Sequence, residues 1–152
     1  MKLKIATIVA AATLATAGFA ESHAGSGDVA AGEKNFGKCK ACHMIQNADG
    51  EAIVKGGKTG PNLYGIVGRQ AGTVEGFRYG DALVAAGEAG LVWDEEHLVS
   101  YMQDPTAFLR DYLDDNGARS KMSFKLRKGG EDIYAYLASL APAPEAEAEA
   151  TN

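Results

Sequence analysis

Between Asn47 and Gly80 the chain carries nine of its 19 glycines and no sustained period-2 alternation of apolar and polar residues. No other stretch restricts the possible folds as strongly. A segment this long without periodic structure is uncommon in a compact domain unless function maintains it. Glycine-rich backbone also has high conformational entropy to lose on ordering. No internal repeat turns the stretch into a solenoid. Something other than sheet pairing must organise it. At 152 residues, with 46% hydrophobic and 23% charged, the chain has the composition of one ordinary globular domain.

The two ends are distinct from the middle. Lys2 and Lys4 precede an apolar run from Ile5 to Ala17, followed by Gly18-Phe19-Ala20, the pattern of a secretory signal peptide. Residues 1–20 are therefore read as an export address, with Ser22-His23-Ala24 as a second possible cleavage point, and the mature protein is expected in a periplasm-like space. Residues 21–27 read as a flexible leader. Residues 141–152 contain only Pro, Ala, Glu, Thr and Asn, too little apolar surface to offset ordering, and read as a disordered acidic tail. This leaves residues 28–140 as the folded body.

That body is predicted to be all-α. Asp28 suits the N-cap of a helix with Val29, Gly32, Phe36 and Cys39 inward. Asp94 opens a second, with Glu95 and Glu96 at its positive end and Leu98, Tyr101 and Met102 on one face. Asp104-Pro105 opens a third, whose Pro105, Phe108, Leu109, Tyr112 and Leu113 share a stripe. A fourth follows Gly129-Gly130 with Ile133, Tyr136, Leu137 and Leu140 aligned, and a shorter one runs near Asp81–Ala86, ending at Gly87.

Both cysteines lie in Cys39-Lys40-Ala41-Cys42-His43. A thioredoxin-like redox pair would want a βαβ context, whereas a helix precedes this motif. A zinc site needs about four ligands, and beyond His43 only His23 and His97 remain as histidines. A disulfide here would close too small a loop to constrain much. Cys-x-x-Cys-His is the attachment signature of c-type haem: two thiols form thioethers to the porphyrin, and the adjacent imidazole binds iron. One covalent haem c also answers the problem of the glycine-rich stretch, because a large flat apolar cofactor gives irregular backbone something to pack around.

The residues leave the iron's sixth ligand open between two methionines. His23 lies in the leader, and His97, in the first turn of an acid-rich helix, reads as a solvated side chain. Met44 adjoins His43 and cannot reach the opposite ring face. Met102 has the helical spacing of a core residue, while Met122 lies in Ser120-Lys121-Met122-Ser123-Phe124, which no helix claims.

From Asp28 to Leu140 the chain resembles the class I cytochromes c, and among them the larger bacterial cytochrome c2-like electron carriers. The resemblance implies the cytochrome c fold: helices and long loops around a covalent haem, with the first and last helices crossing at Gly32 and Phe36 against Ile133 and Tyr136. It makes Cys39 and Cys42 the attachment residues, His43 and Met122 the iron ligands, and Pro61 in Thr59-Gly60-Pro61-Asn62-Leu63 the carbonyl that accepts the histidine ring N–H. It assigns Arg69, Tyr79 and Trp93 to the haem propionates, Tyr101 to the neighbourhood of the methionine sulfur, and Ser120 to a hydroxyl near a propionate. Extra residues around 49–55 and 109–118 depart from the shorter mitochondrial pattern, and the acidic tail has no counterpart in the family core.

With both axial positions filled by histidine and methionine, such a site suits outer-sphere electron transfer. The expected function is a periplasmic one-electron carrier, not an enzyme. The resemblance implies a cytochrome bc complex as donor and a terminal oxidase, a photosynthetic reaction centre or a nitrogen-oxide reductase as acceptor. The alternative is a small peroxidase-like haem enzyme with a labile sixth ligand. The formal charge is −5, and −7 without residues 1–20, which speaks against nucleic acid as a partner. Yet Asn116–Lys128 holds Arg119, Lys121, Lys125, Arg127 and Lys128 with no acid, and Lys38, Lys40, Lys55 and Lys58 flank the attachment site and its following loop. Glu75–Asp115 carries ten acids against Arg78 and Arg110. A monomer of this dipolar kind is expected to dock basic-side-first on acidic partners.

Overall fold

The computed structural model describes residues 25–140; the expected signal peptide, most of the expected leader and the expected acidic tail lie outside the described residues. In chain order the elements are α1 (Val29–Asn35), a 3-10 turn (Phe36–Lys38), β1 (Ile45–Gln46), β2 (Ala52–Val54), α2 (Asp81–Glu88), α3 (Glu95–Gln103), α4 (Pro105–Leu113) and α5 (Gly130–Ser139). Among the described residues no helix is long and apolar enough to cross a membrane. The all-α expectation holds for the architecture, with one small exception. β1 and β2 pair antiparallel across the 47–51 turn, too short for a period-2 pattern to show in sequence.

Three helices begin where local chemistry said they would. The Asp28, Asp94 and Asp104 carboxylates accept from the backbone N–H three residues on, Ala31 at 2.6 Å, His97 at 2.8 Å and Ala107 at 3.1 Å. Each satisfies a first-turn donor that has no partner within its helix. Pro105 follows Asp104 at the first position of α4, where its missing N–H costs nothing.

α5 packs against α1 on one side and α3 on the other. Two-sided contact explains why Tyr134 and Ala135 are buried along with Ile133, Tyr136 and Leu137, a wider face than a single stripe. The α1–α5 crossing depends on Gly32: a Cβ there would lie on the Asp132 carbonyl oxygen. Phe36 and Tyr136 fill the adjoining space with ring centroids 5.8 Å apart. Gly32→Ala is expected to destabilise by about 2–3 kcal/mol, read as a lower denaturant midpoint, because overpacking at this backbone contact outweighs the gain of under about 1 kcal/mol that alanine brings to a helix.

Three local expectations are corrected by tertiary contacts. Val29, expected inward, is 45% exposed, because α1 is only seven residues long and Phe36 is buried from the 3-10 turn that continues it. Residues 25–27, expected in a flexible leader, are seated on the folded body. Ser26 donates to Glu95 from its backbone N–H and hydroxyl, and Gly27 approaches the Glu131 backbone too closely for any Cβ. His97, expected to be solvated, is half-buried, packed edge-on against the stacked rings of Phe108 and Tyr112, its Nδ1 3.0 Å from the Asp94 carboxylate.

Candidate haem site

The glycine-rich stretch is laced onto the attachment pentapeptide by backbone hydrogen bonds. Gly57 donates to Lys40 O at 2.8 Å, Gly60 to Cys42 O at 2.8 Å and Leu63 to Met44 O at 3.1 Å. Asn62 completes the lacing as a substitute strand: its side chain accepts from Gln46 N at 3.0 Å and donates to Gln46 O at 2.7 Å. These contacts bring Pro61 beside His43. The His43 Nδ1–H donates to the Pro61 carbonyl at 2.8 Å, since a carbonyl can only accept. That fixes the tautomer and leaves Nε2 with its lone pair. Burial lowers the His43 pKa, partly offset by the Pro61 bond, so the imidazole is held neutral, as a metal ligand must be. Gly60 lies against the ring so closely that a Cβ would overlap it.

His43, Cys39 and Cys42 line a cavity of about 360 Å³. Ile66, Leu98, Ile133 and Leu137 from the core give it an apolar interior, and Pro61, Tyr79, Trp93, Tyr101, Met102, Ser120 and Met122 complete much of its wall. The cysteines form no disulfide; burial pushes the Cys39 thiol up to about 11. Among the described residues no cluster of three or more His, Cys, Asp or Glu could hold a metal ion by itself. Two free thiols beside a neutral imidazole, in a mostly apolar cavity, fit covalent haem c better than a zinc or redox-dithiol site.

Another part of the wall is a small hydrogen-bonded unit. The Tyr101 hydroxyl and Ser120 Oγ are 2.8 Å apart, and Ser120 Oγ accepts from Met122 N at 3.1 Å. Burial raises the Tyr101 pKa, keeping the phenol neutral. Trp93 stacks at a tilt on Tyr101, 5.0 Å between centroids. Lys121 Nζ donates to Tyr79 O at 2.8 Å and Arg78 O at 3.2 Å, tying the methionine loop to the end of the glycine-rich stretch.

Most of the residues anticipated for the site are thus brought together. Arg69 is the exception: its guanidinium donates to Tyr64 O at 3.0 Å, and it does not line the cavity. Of the anticipated docking residues, Lys38 and Lys121 line the cavity while Lys40, Lys55, Lys58, Lys125, Arg127 and Lys128 do not. Lys125 is paired with Asp104 at 2.6 Å. Sequence reasoning gave no role to Arg78, which stands among acids along the chain but lines the cavity with Lys38, Arg119 and Lys121. No carboxylate lines it. Lys38, Arg119 and Lys121 were already legible as basic neighbours of the haem motif and the methionine segment; only folding adds Arg78 to them.

No family model matches the chain. Cytochrome c-551 of Roseobacter denitrificans is 61% identical over 140 residues, covering 92% of this chain and 96% of that protein. Cytochrome c2 of Rhodobacter capsulatus is 55% identical over 141 residues, covering 92% and 98%. The solved structure of cytochrome c2 from Rhodobacter capsulatus superposes with a TM-score of 0.73 at 59% identity, covering 74% of this chain and 97% of that one. Near-full-length identity at this level, on the same fold, means that the chain belongs to the class I c-type cytochromes of the cytochrome c2 group, electron carriers with one covalently bound haem c.

Proposed function

We propose that this cytochrome is a periplasmic one-electron shuttle whose iron is held by His43 and Met122. The observation that carries the ligand reading is the His43 Nδ1–Pro61 contact of 2.8 Å, which commits one ring nitrogen to the protein and frees the other for metal. Haem c supplies one reversible electron at iron; the chain supplies a preformed, mostly apolar holder. Cys39 and Cys42 tether the group, and Tyr101 and Ser120 hold the Met122 backbone. Thioether ligation favours the ferrous state and a high potential, and two protein ligands leave small molecules no open position. Tyr79, Trp93 and Ser120 are the cavity residues suited to propionates. Arg69 keeps further N–H donors beside the one that it gives to Tyr64 O.

The donor is a cytochrome bc complex, and the acceptor a terminal oxidase, a photosynthetic reaction centre or a periplasmic nitrogen-oxide reductase. What supports docking by charge is the cation-only rim of Lys38, Arg78, Arg119 and Lys121, extended by Lys128. Gly129 lies beside Asn35, the residue to which Lys38 Nζ donates at 3.1 Å, so the backbone next to Lys128 passes close to Lys38. Lys40, Lys55, Lys58 and Arg127 are exposed and widen the basic surface; Lys125 contributes less while Asp104 neutralises it.

Stopped-flow oxidation by candidate acceptors tests the reading. Lys38→Glu with Lys128→Glu should slow the bimolecular step severalfold at low ionic strength and little once salt shortens the Debye length to about 3 Å, near 1 M. An unchanged low-salt rate would move the docking face elsewhere. Rapid cyanide capture by the ferric wild-type protein would overturn the two-ligand reading.

A further inference from the structure

The segment from Ala118 to Lys128 carries Met122 yet contains no helix or strand, so no periodic backbone ladder places it. Its position comes from tethers, and several of them converge on one helix. Lys125 Nζ donates to Asp104 Oδ2 at 2.6 Å. Ser120 N donates to Thr106 Oγ1 at 3.3 Å, while Ser120 Oγ in turn accepts from Met122 N. Arg110 Nε donates to Ala118 O at 3.2 Å. Asp104 is also the N-cap of α4 through Ala107 N, so the carboxylate that starts the helix also grips the loop.

We propose that Asp104, the N-cap of α4, and Thr106, in its first turn, are positioning residues for Met122, clamping its loop three residues after and two residues before the sulfur-bearing side chain. This inference rests on Met122 being the iron ligand. Neither residue lines the cavity, so each acts only through the loop. The hydrogen bond from Lys125, with the N-cap bond from Ala107, lowers the Asp104 carboxyl below its ordinary range. Substitution loosens the loop without emptying the cavity wall, and the consequence is more frequent departure of the sulfur from iron.

The test uses the ferric holoprotein and reads the rate of cyanide capture together with the visible iron–sulfur charge-transfer band. Asp104→Asn retains a good N-cap residue but loses the ion pair; Lys125→Gln loses it from the other side. Each should speed capture about two- to fivefold, in line with an exposed ion pair. The double variant should be no faster than either single one, the signature of one shared interaction. Thr106→Val should act similarly, and Thr106→Ser should restore the wild-type rate. Wild-type capture rates in Asp104→Asn and Thr106→Val, or full additivity of Asp104→Asn with Lys125→Gln, would overturn the clamp. Met122→Ala separates this from the parent reading: if that variant keeps the band and slow capture, Met122 is not the ligand and both ideas fall.

Discussion

Cys39→Ala combined with Cys42→Ala should leave a polypeptide that loses its haem completely on denaturing electrophoresis. These are the only two cysteines, so no other thioether can form. The effect should reach the fold as well. The cavity of about 360 Å³ is bordered by core residues such as Ile66, Leu98, Ile133 and Leu137, and without a retained group their inward faces lose their packing partner. Thermal unfolding should broaden and move to lower temperature. Haem-dependent colour surviving in the denatured band would refute thioether attachment at these positions.

The second large effect is expected at the methionines, where sequence alone left two candidates. Met122→Ala should remove the charge-transfer band and admit cyanide rapidly. It should also lower the midpoint potential by on the order of 0.1 V or more, a modest part of the roughly 0.8 V that axial ligation spans across haem proteins. Met102→Ala should behave differently. Met102 is 7% exposed within the α3 core face and its carbonyl accepts from Leu126 N at 2.7 Å. Truncating it should cost about 2–4 kcal/mol of stability with the band retained. The reverse pattern, a vanished band in Met102→Ala and an intact one in Met122→Ala, would exchange the two roles. Potentiometry and denaturant titration on the same pair of variants separate them.

Cysteine spacing, three aspartate caps and the apolar stripes were enough to locate the attachment motif and the helices, because each depends on chemistry within three or four residues. Asp104-Pro105 starts a helix wherever that helix is finally packed. The pentapeptide likewise places two thiols and an imidazole together by covalent adjacency. Long-range geometry was not legible in that way. Asn62 stands eleven residues after Glu51 with nothing to say that its amide closes on Gln46, yet that closure delivers Pro61 O to His43. Nor does anything local to Arg69 indicate that its guanidinium donates to the Tyr64 carbonyl five positions back.

By itself the sequence determined that a haem would be tethered at Cys39 and Cys42 beside His43, and that helices would begin after Asp28, Asp94 and Asp104. Only the tertiary structure decided the rest. It turned Val29 outward, packed His97 edge-on against two stacked aromatic rings, gathered Arg78 with Lys38, Arg119 and Lys121 around one opening, and paired Lys125 with Asp104. The physical reason is that caps and covalent neighbours act before the chain closes. Charges and loops far apart along it acquire partners only once core burial has met the loop-closure entropy that separates them.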